Sequence, residues 1–219
     1  ASEYLSLTYT GNMASANDYL AGGDFKTATA TGRPGQSLGR NKVGSTAYQT
    51  WNQTVSIAAR LDNHLIEAQY GYQNVPYELY PNQRMDMLGN REDRYSLRYL
   101  GQYDWGSLEA KVYHEDVTHH MDFGDDKQYL YGVATGMPMD TRSRTTGARL
   151  KAEVALTQQD LLRLGTEYQS YRLNDSWPPS GGMMMGPNTF WNINNGQRDR
   201  LAVFSEWQSQ WNPQWQSLL

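Results

Sequence analysis

The sequence predicts an all-β protein, an antiparallel up-and-down transmembrane β-barrel. Three observations predict it. Apolar and polar residues alternate with a period of two along most of the chain, the spacing of strands with two unlike faces. The connections between these stretches alternate short and long. Aromatics make up 12%, and 16 Tyr and 7 Trp stand against 4 Phe, so most rings carry a polar handle suited to an apolar–water boundary.

The strands follow in order. The first runs over 3–10, with Leu5, Leu7 and Tyr9 on one face. The second spans about Gln49 to Leu61, with Val55, Ile57, Ala59 and Leu61 against Ser56, Ala58 and Arg60. The third runs to about Asn74 and sets Ile66, Ala68, Tyr70 and Tyr72 against Glu67, Gln69 and Gln73. The fourth, about Asp93 to Tyr103, sets Tyr95, Leu97 and Tyr99 against Arg94, Ser96 and Arg98. Asp104-Trp105-Gly106 turns the chain into a fifth, where Leu108, Ala110 and Val112 oppose Glu109, Lys111, Tyr113 and Glu115. The sixth spans about Thr141 to Leu156, the seventh Leu161 to Leu173 and the eighth Arg198 to Trp211. A ninth begins at Trp215.

Connections near 61–64, 104–107, 157–160 and 212–214 are tight. Those at about 11–47, 75–92, 120–140 and 174–197 are long and rich in Gly, Pro, Asn and Met. Short turns at one edge and long loops at the other is the layout of an outer-membrane barrel. One face is Leu, Val, Ala, Ile and Tyr, which suits lipid. The other mixes Arg60, Glu67, Arg98, Glu109, Arg149 and Arg163, which suits a wet lumen. Trp105, Trp211, Trp215 and Tyr103 sit beside the short turns, and Trp51, Tyr9 and Tyr72 lie toward the long loops, as two aromatic belts would. A soluble β-sandwich using exposed aromatics to bind carbohydrate is the alternative of a different class.

Composition excludes several functions. No run of 18 apolar residues makes a transmembrane helix. A net charge of −4 with no basic excess gives no nucleic-acid partner. With no cysteine there is no disulfide scaffold, Cys-type zinc site or thiol catalysis. Gly-x-Ser-x-Gly, His-Glu-x-x-His, phosphate-loop and dinucleotide motifs are missing. Asp125-Asp126 reads as solvated loop charge, and no enzyme is expected. Ala1-Ser2-Glu3 shows no signal peptide.

The residues that could carry chemistry are a histidine and a methionine. Alternation from Glu109 through Glu115 carries Val117, His119 and Met121 to the polar side, with His114 and His120 opposite. An imidazole beside a thioether is half of a soft metal site, and thioether sulfur favours Cu(I). All nine methionines lie in or at the long loops, in clusters Met85-Asp86-Met87, Met137-Pro138-Met139 and Met183-Met184-Met185. These could capture a soft ion or fill gaps between loops.

Several segments resemble the barrel of TonB-dependent outer-membrane receptors, specifically the copper-receptor branch. They are Leu79-Tyr80-Pro81-Asn82-Gln83-Arg84-Met85-Asp86-Met87-Leu88, Tyr103-Asp104-Trp105-Gly106-Ser107-Leu108-Glu109-Ala110, His119-His120-Met121-Asp122, Gly136-Met137-Pro138-Met139, Trp177-Pro178-Pro179-Ser180-Gly181, and 186–194 with Arg198-Asp199-Arg200. The resemblance spans about 75 to 211. It implies a barrel of about 22 strands with a plugged lumen. Residues 1–219 would then be a partial barrel domain of eight to nine strands, with the plug domain and remaining strands outside the chain. It further implies copper as cargo rather than cofactor, with His119 and Met121 as wall ligands and Met137 and Met139 as auxiliaries. The other ligands would be a Cys-x-x-x-Met on the plug. The implied partners are copper, the TonB energy-coupling complex acting through the plug, and membrane lipid or lipopolysaccharide. The implied location is the outer membrane of a Gram-negative bacterium. A receptor of the same class for another cargo, such as a siderophore, stays open beside it.

Overall fold

Nine strands form one sheet in this computed structural model, which describes residues 4–31, 35–127, 136–180 and 186–219. They are β1 (Leu5–Ala16), β2 (Tyr48–Leu61), β3 (His64–Glu78), β4 (Asp86–Tyr103), β5 (Gly106–Asp122), β6 (Met139–Ala155), β7 (Asp160–Trp177), β8 (Phe190–Asn212) and β9 (Trp215–Leu218). Each pairs antiparallel with its neighbour in sequence, so the order is β1 to β9 without a crossover. A sandwich needs two packed sheets. The described residues hold one, which contradicts the soluble-sandwich alternative.

Register makes the faces. One row crosses eight strands as Leu7, Ile57, Ala68, Leu97, Val112, Ala148, Tyr168 and Leu201. Nothing covers it: Leu7 is 71% and Leu201 72% exposed. Among the described residues only Val75, Met87 and Phe123 are buried hydrophobics, all toward the loop edge. Apolar surface on this scale exceeds the patches of soluble monomers, typically a few hundred Å². The opposite face carries interleaved charges. Glu109 accepts from Arg98 and Arg149, each at 3.1 Å. Arg163 lies between Glu153, at 3.4 Å, and Glu206. Arg200 reaches Glu167 at 3.2 Å. Such part-exposed pairs contribute roughly 0–1 kcal/mol each. Their consequence is a wet face.

Aromatics mark both limits of the apolar rows. At the turn edge Tyr103 stacks on Trp105 with centroids 5.1 Å apart, and the Tyr99 hydroxyl meets His64 Nδ1 at 2.8 Å. Trp207 and Trp211 pair edge to face at 6.2 Å. Toward the loop edge Tyr70 packs on Tyr95 at 5.0 Å. From Tyr95 to Tyr103 the strand advances roughly 27 Å at 3.4 Å per residue. At a tilt of about 40° that is about 20 Å, near the height of a lipid-facing band. The Tyr103–Gly106 hairpin closes through Asp104-Trp105. Gly106 has φ 141°, and a Cβ there would lie 1.8 Å from the Glu153 carbonyl oxygen, so only glycine fits.

The strands run further than the alternation shows. The expected long connections shrink to 17–47, 79–85, 123–138 and 178–189. The added strand residues, such as Asn12 to Ala16 and Asp86 to Glu92, lack a regular apolar–polar alternation, so pairing persists where patterning stops. This also moves Met13, Met87, Met121 and Met139 out of loops and onto strands. Met183-Met184-Met185 lies outside the described residues.

Buried polar ties hold the loop edge. Asp86 is fully buried. It accepts from the Tyr80 amide at 2.8 Å and the Ser45 hydroxyl at 3.4 Å, and faces Lys127 Nζ at 3.2 Å. Lys127 also donates to the carbonyls of Tyr80 and of Gln83, the latter at 2.9 Å. Asp86 is therefore turned away from any soft-ion cluster with Met85 and Met87. Asp126 is not a merely solvated charge either: it accepts from the Ser45 amide at 3.0 Å and Gln36 at 3.2 Å. In the first loop, burial acts to raise the Asp18 pKa. The Thr46 and Ala47 amides and Lys42 outweigh it and hold that carboxyl below the usual carboxylate range.

Removing one partner of a buried ion pair costs about 3–5 kcal/mol, because the other charge is stranded. Asp86→Ala should therefore lower the thermal midpoint and open 17–47 and 79–85 to protease. Asp86→Ala with Lys127→Met should recover part of the loss. Equal midpoints for wild type and Asp86→Ala would contradict the tie.

Candidate functional site

His119 and Met121 both stand on the polar face of β5, near its loop end, and both are half-buried. Their neighbours in register define two rows. Met121 is paired with Met87 on β4 and with Met139 on β6, so three thioethers lie side by side across three strands. One step toward the turns, His119 is paired with Asn90 and Thr141, and Thr141 with Asp175 on β7.

Met87 reaches this face because of a bulge. Simple alternation back from Ser96, Arg94, Glu92 and Asn90 puts Leu88 on the polar side and Met87 opposite. The register shift between Met87 and Gly89 inserts one residue and turns Met87 over. Met87 and His119 then line one hollow on the polar face together with Thr50, Gln73, Val75 and Asn90. Met121 is beside them in register but does not line that hollow. Met137 sits just before β6, where its amide donates to Asp122 Oδ1 at 2.6 Å.

A chain of side-chain amides fixes the imidazole. Asn52 Nδ2 donates to the Thr50 hydroxyl at 3.3 Å, and Gln73 Nε2 donates to Asn52 Oδ1 at 2.7 Å. Asn90 Nδ2 in turn donates to Gln73 Oε1 at 3.3 Å. Each amide gives through nitrogen and receives through oxygen, so Asn90 presents Oδ1 to His119 Nδ1, 3.2 Å away. A carbonyl oxygen can only accept. In this arrangement Nδ1 carries the proton, leaving the Nε2 lone pair as the ligand-competent atom. On the far side, Asp175 accepts from Thr141 Oγ1 at 2.9 Å and Asn192 Nδ2 at 2.6 Å, anchoring β6, β7 and β8 at the same level.

The two histidines of β5 on the other face are occupied locally. His114 Nδ1 meets Thr146 Oγ1 at 2.8 Å, and His120 Nδ1 meets Asp140 Oδ1 at 2.6 Å. Among the described residues no group of three His, Asp or Glu side chains could hold a hard or borderline ion. The available donor set is soft, sulfur with one nitrogen. Sequence reasoning named Met87 only within a loop cluster and missed the positioning role of Gln73 and Asn90. Extending the alternation through the polar stretch 86–92 would have put Asn90 on the right face, but no sequence signal marks the bulge.

No protein-family model matches the sequence, and no curated protein matches it. Solved structures match in fold. The copper transporter OprC is 20% identical, with a TM-score of 0.72 over 95% of this chain and 31% of that one. The siderophore receptor PiuA from Acinetobacter baumannii is 11% identical, with a TM-score of 0.48 over 94% of this chain and 36% of that one. The ferric yersiniabactin uptake receptor FyuA from Yersinia pestis is 16% identical, with a TM-score of 0.49 over 97% and 33%. The chain thus spans about a third of the length of these proteins. Its fold, nine antiparallel strands in one up-and-down sheet, is that of a segment of the OprC structure.

The amide chain makes the His119 tautomer testable. Nitrogen-15 NMR should show Nδ1 protonated and Nε2 bare in the neutral ring. Asn90→Leu should abolish that preference. An Nε2-protonated ring in the wild type would refute the assignment.

Proposed function

We propose that this chain is the wall of an outer-membrane receptor that imports copper, with His119 Nε2 and Met121 sulfur as the wall's ligands. Met87 and Met139 flank Met121 in the same row, and Met137 precedes it, so the ion has thioethers on its path from the loops. The observation that supports this most is the register-fixed row of three thioethers one step from an imidazole held in its ligand-competent tautomer. Thioether-rich sites select Cu(I) over harder ions. The apolar face stands against lipid, and the polar face lines the lumen. Copper is cargo here and no covalent chemistry is involved. Release inward would draw on the TonB energy-coupling complex, and the remaining ligands would come from another part of the receptor. The fold likeness to a segment of a copper transporter supports the architecture of this reading.

A second reading, import of an anionic metal chelate such as a siderophore, is favoured by the hollow on the polar face where Arg94, Lys111 and Arg149 outnumber the carboxylates Glu115 and Glu167. Metal analysis separates the two. Full-length wild-type receptor should retain copper through purification. His119→Ala and Met121→Ala should each lose at least about tenfold in copper affinity, since even outer-shell partners of a metal ligand are worth about 10–100-fold. Stoichiometric copper in the double variant would overturn the assignment.

A further inference from the structure

The apolar face is not uniform. A trough of about 700 Å³ crosses it from Val55 and Ile57 on β2, past Tyr70 and Tyr95, to Tyr168 on β7. Between Tyr95 and Tyr168 its floor is Val112, Thr146 and Ala148, small side chains of β5 and β6. The two polar groups at its upper end, His114 and Thr146, bond each other at 2.8 Å and so present an apolar contour. The next rows toward the loop edge, still on this face, change character at once. Asp116 follows His114 along β5, and Arg144 and Arg142 follow Thr146 along β6.

Both arginines converge on one carboxylate. Arg142 donates to Asp116 through Nε at 3.2 Å and Nη2 at 2.8 Å, and Arg144 Nε donates to it at 3.1 Å. Asp93, opposite Asp116 on β4, is balanced by Arg91 at 3.0 Å, so two cations on one further anion leave a net positive charge at the mouth of the trough. Each arginine side chain is 52% exposed. The terminal nitrogens of Arg144 make no other bond among the described residues, so its fork can take a tetrahedral oxyanion.

We propose that this trough and its two arginines form a site for a single phosphate-bearing membrane lipid. One acyl chain lies over Val112 and Ala148 between the tyrosines, and the headgroup phosphate is held by Arg142 and Arg144. The charge complementarity and the adjoining apolar trough are independent features that meet at one place. The inference rests on the reading that this face stands in a bilayer.

The test uses full-length receptor in detergent, with native mass spectrometry counting retained lipid. The probes are phosphatidic acid and diacylglycerol with identical chains, which differ only in the phosphate. Wild type should retain one phosphatidic acid in preference to diacylglycerol. Arg142→Gln with Arg144→Gln should reduce that preference about tenfold, the scale of losing a charge-assisted contact. Ala148→Phe, which fills the trough and leaves the arginines, should reduce retention of both lipids. Equal retention of the two lipids by wild type, or no effect of the arginine variant, would overturn the proposal. Co-flotation with liposomes checks the reading beneath it. A receptor that floats but shows no phosphate preference refutes the lipid site alone, and one that does not float refutes both.

Discussion

The antiparallel register is the constraint on which the rest of this structure depends. Side chains alternate faces along each strand, so a slip of one residue would exchange the two faces of every strand beyond it. Hydrogen bonding through eight consecutive strand pairs holds that register. It delivers Leu97, Val112 and Ala148 to one side and Arg98, Lys111 and Arg149 to the other. The same ladder carries Met121 alongside Met87 and Met139, residues far apart in sequence. No single loop contact accomplishes this.

Departures from that register are themselves informative. At the loop ends they fall in β2–β3, β4–β5 and β7–β8, and the bulge between Met87 and Gly89 changes the parity of β4 relative to β5. It brings a third thioether onto the polar face without moving Asn90, whose carbonyl orients His119. Immediately beyond the bulge, Asp86 is buried against Lys127, which joins the end of β4 to three connecting segments. Backbone irregularity, buried ion pair and thioether row thus occupy neighbouring positions. An imidazole poised by neutral amides keeps its Nε2 lone pair available, while the Asp175 carboxylate at the same level is taken up by Thr141 and Asn192.

Much of the architecture was legible in the sequence because one face is apolar and the other wet. Strands β2 to β8 and the four tight turns follow from alternation, and the polar-side placement of His119 and Met121 follows from counting in twos from Glu109. Legibility stops where that asymmetry stops. In strand stretches such as Asn12–Ala16, Asp86–Glu92 and Phe190–Gln197 the regular apolar–polar alternation lapses, so they read as loop although the ladder continues. The orientation of Met87 depends on a bulge, a backbone event with no side-chain code. Ser45 and Lys127 beside Asp86, and Gln36 and Ser45 beside Asp126, are loop residues tens of positions away, and local sequence does not encode such pairings.

The most direct test of the central claim, that register gathers these thioethers into one row able to take a soft metal, is methyl NMR of the full-length protein labelled with carbon-13 at methionine, titrated with Cu(I). The methyl signals of Met87, Met121 and Met139 should move together at stoichiometric metal. Met13, paired with Trp51 on the other face at the β1 edge, should stay fixed. Movement of Met13 alone, or no movement of the three row methyls, would contradict the account.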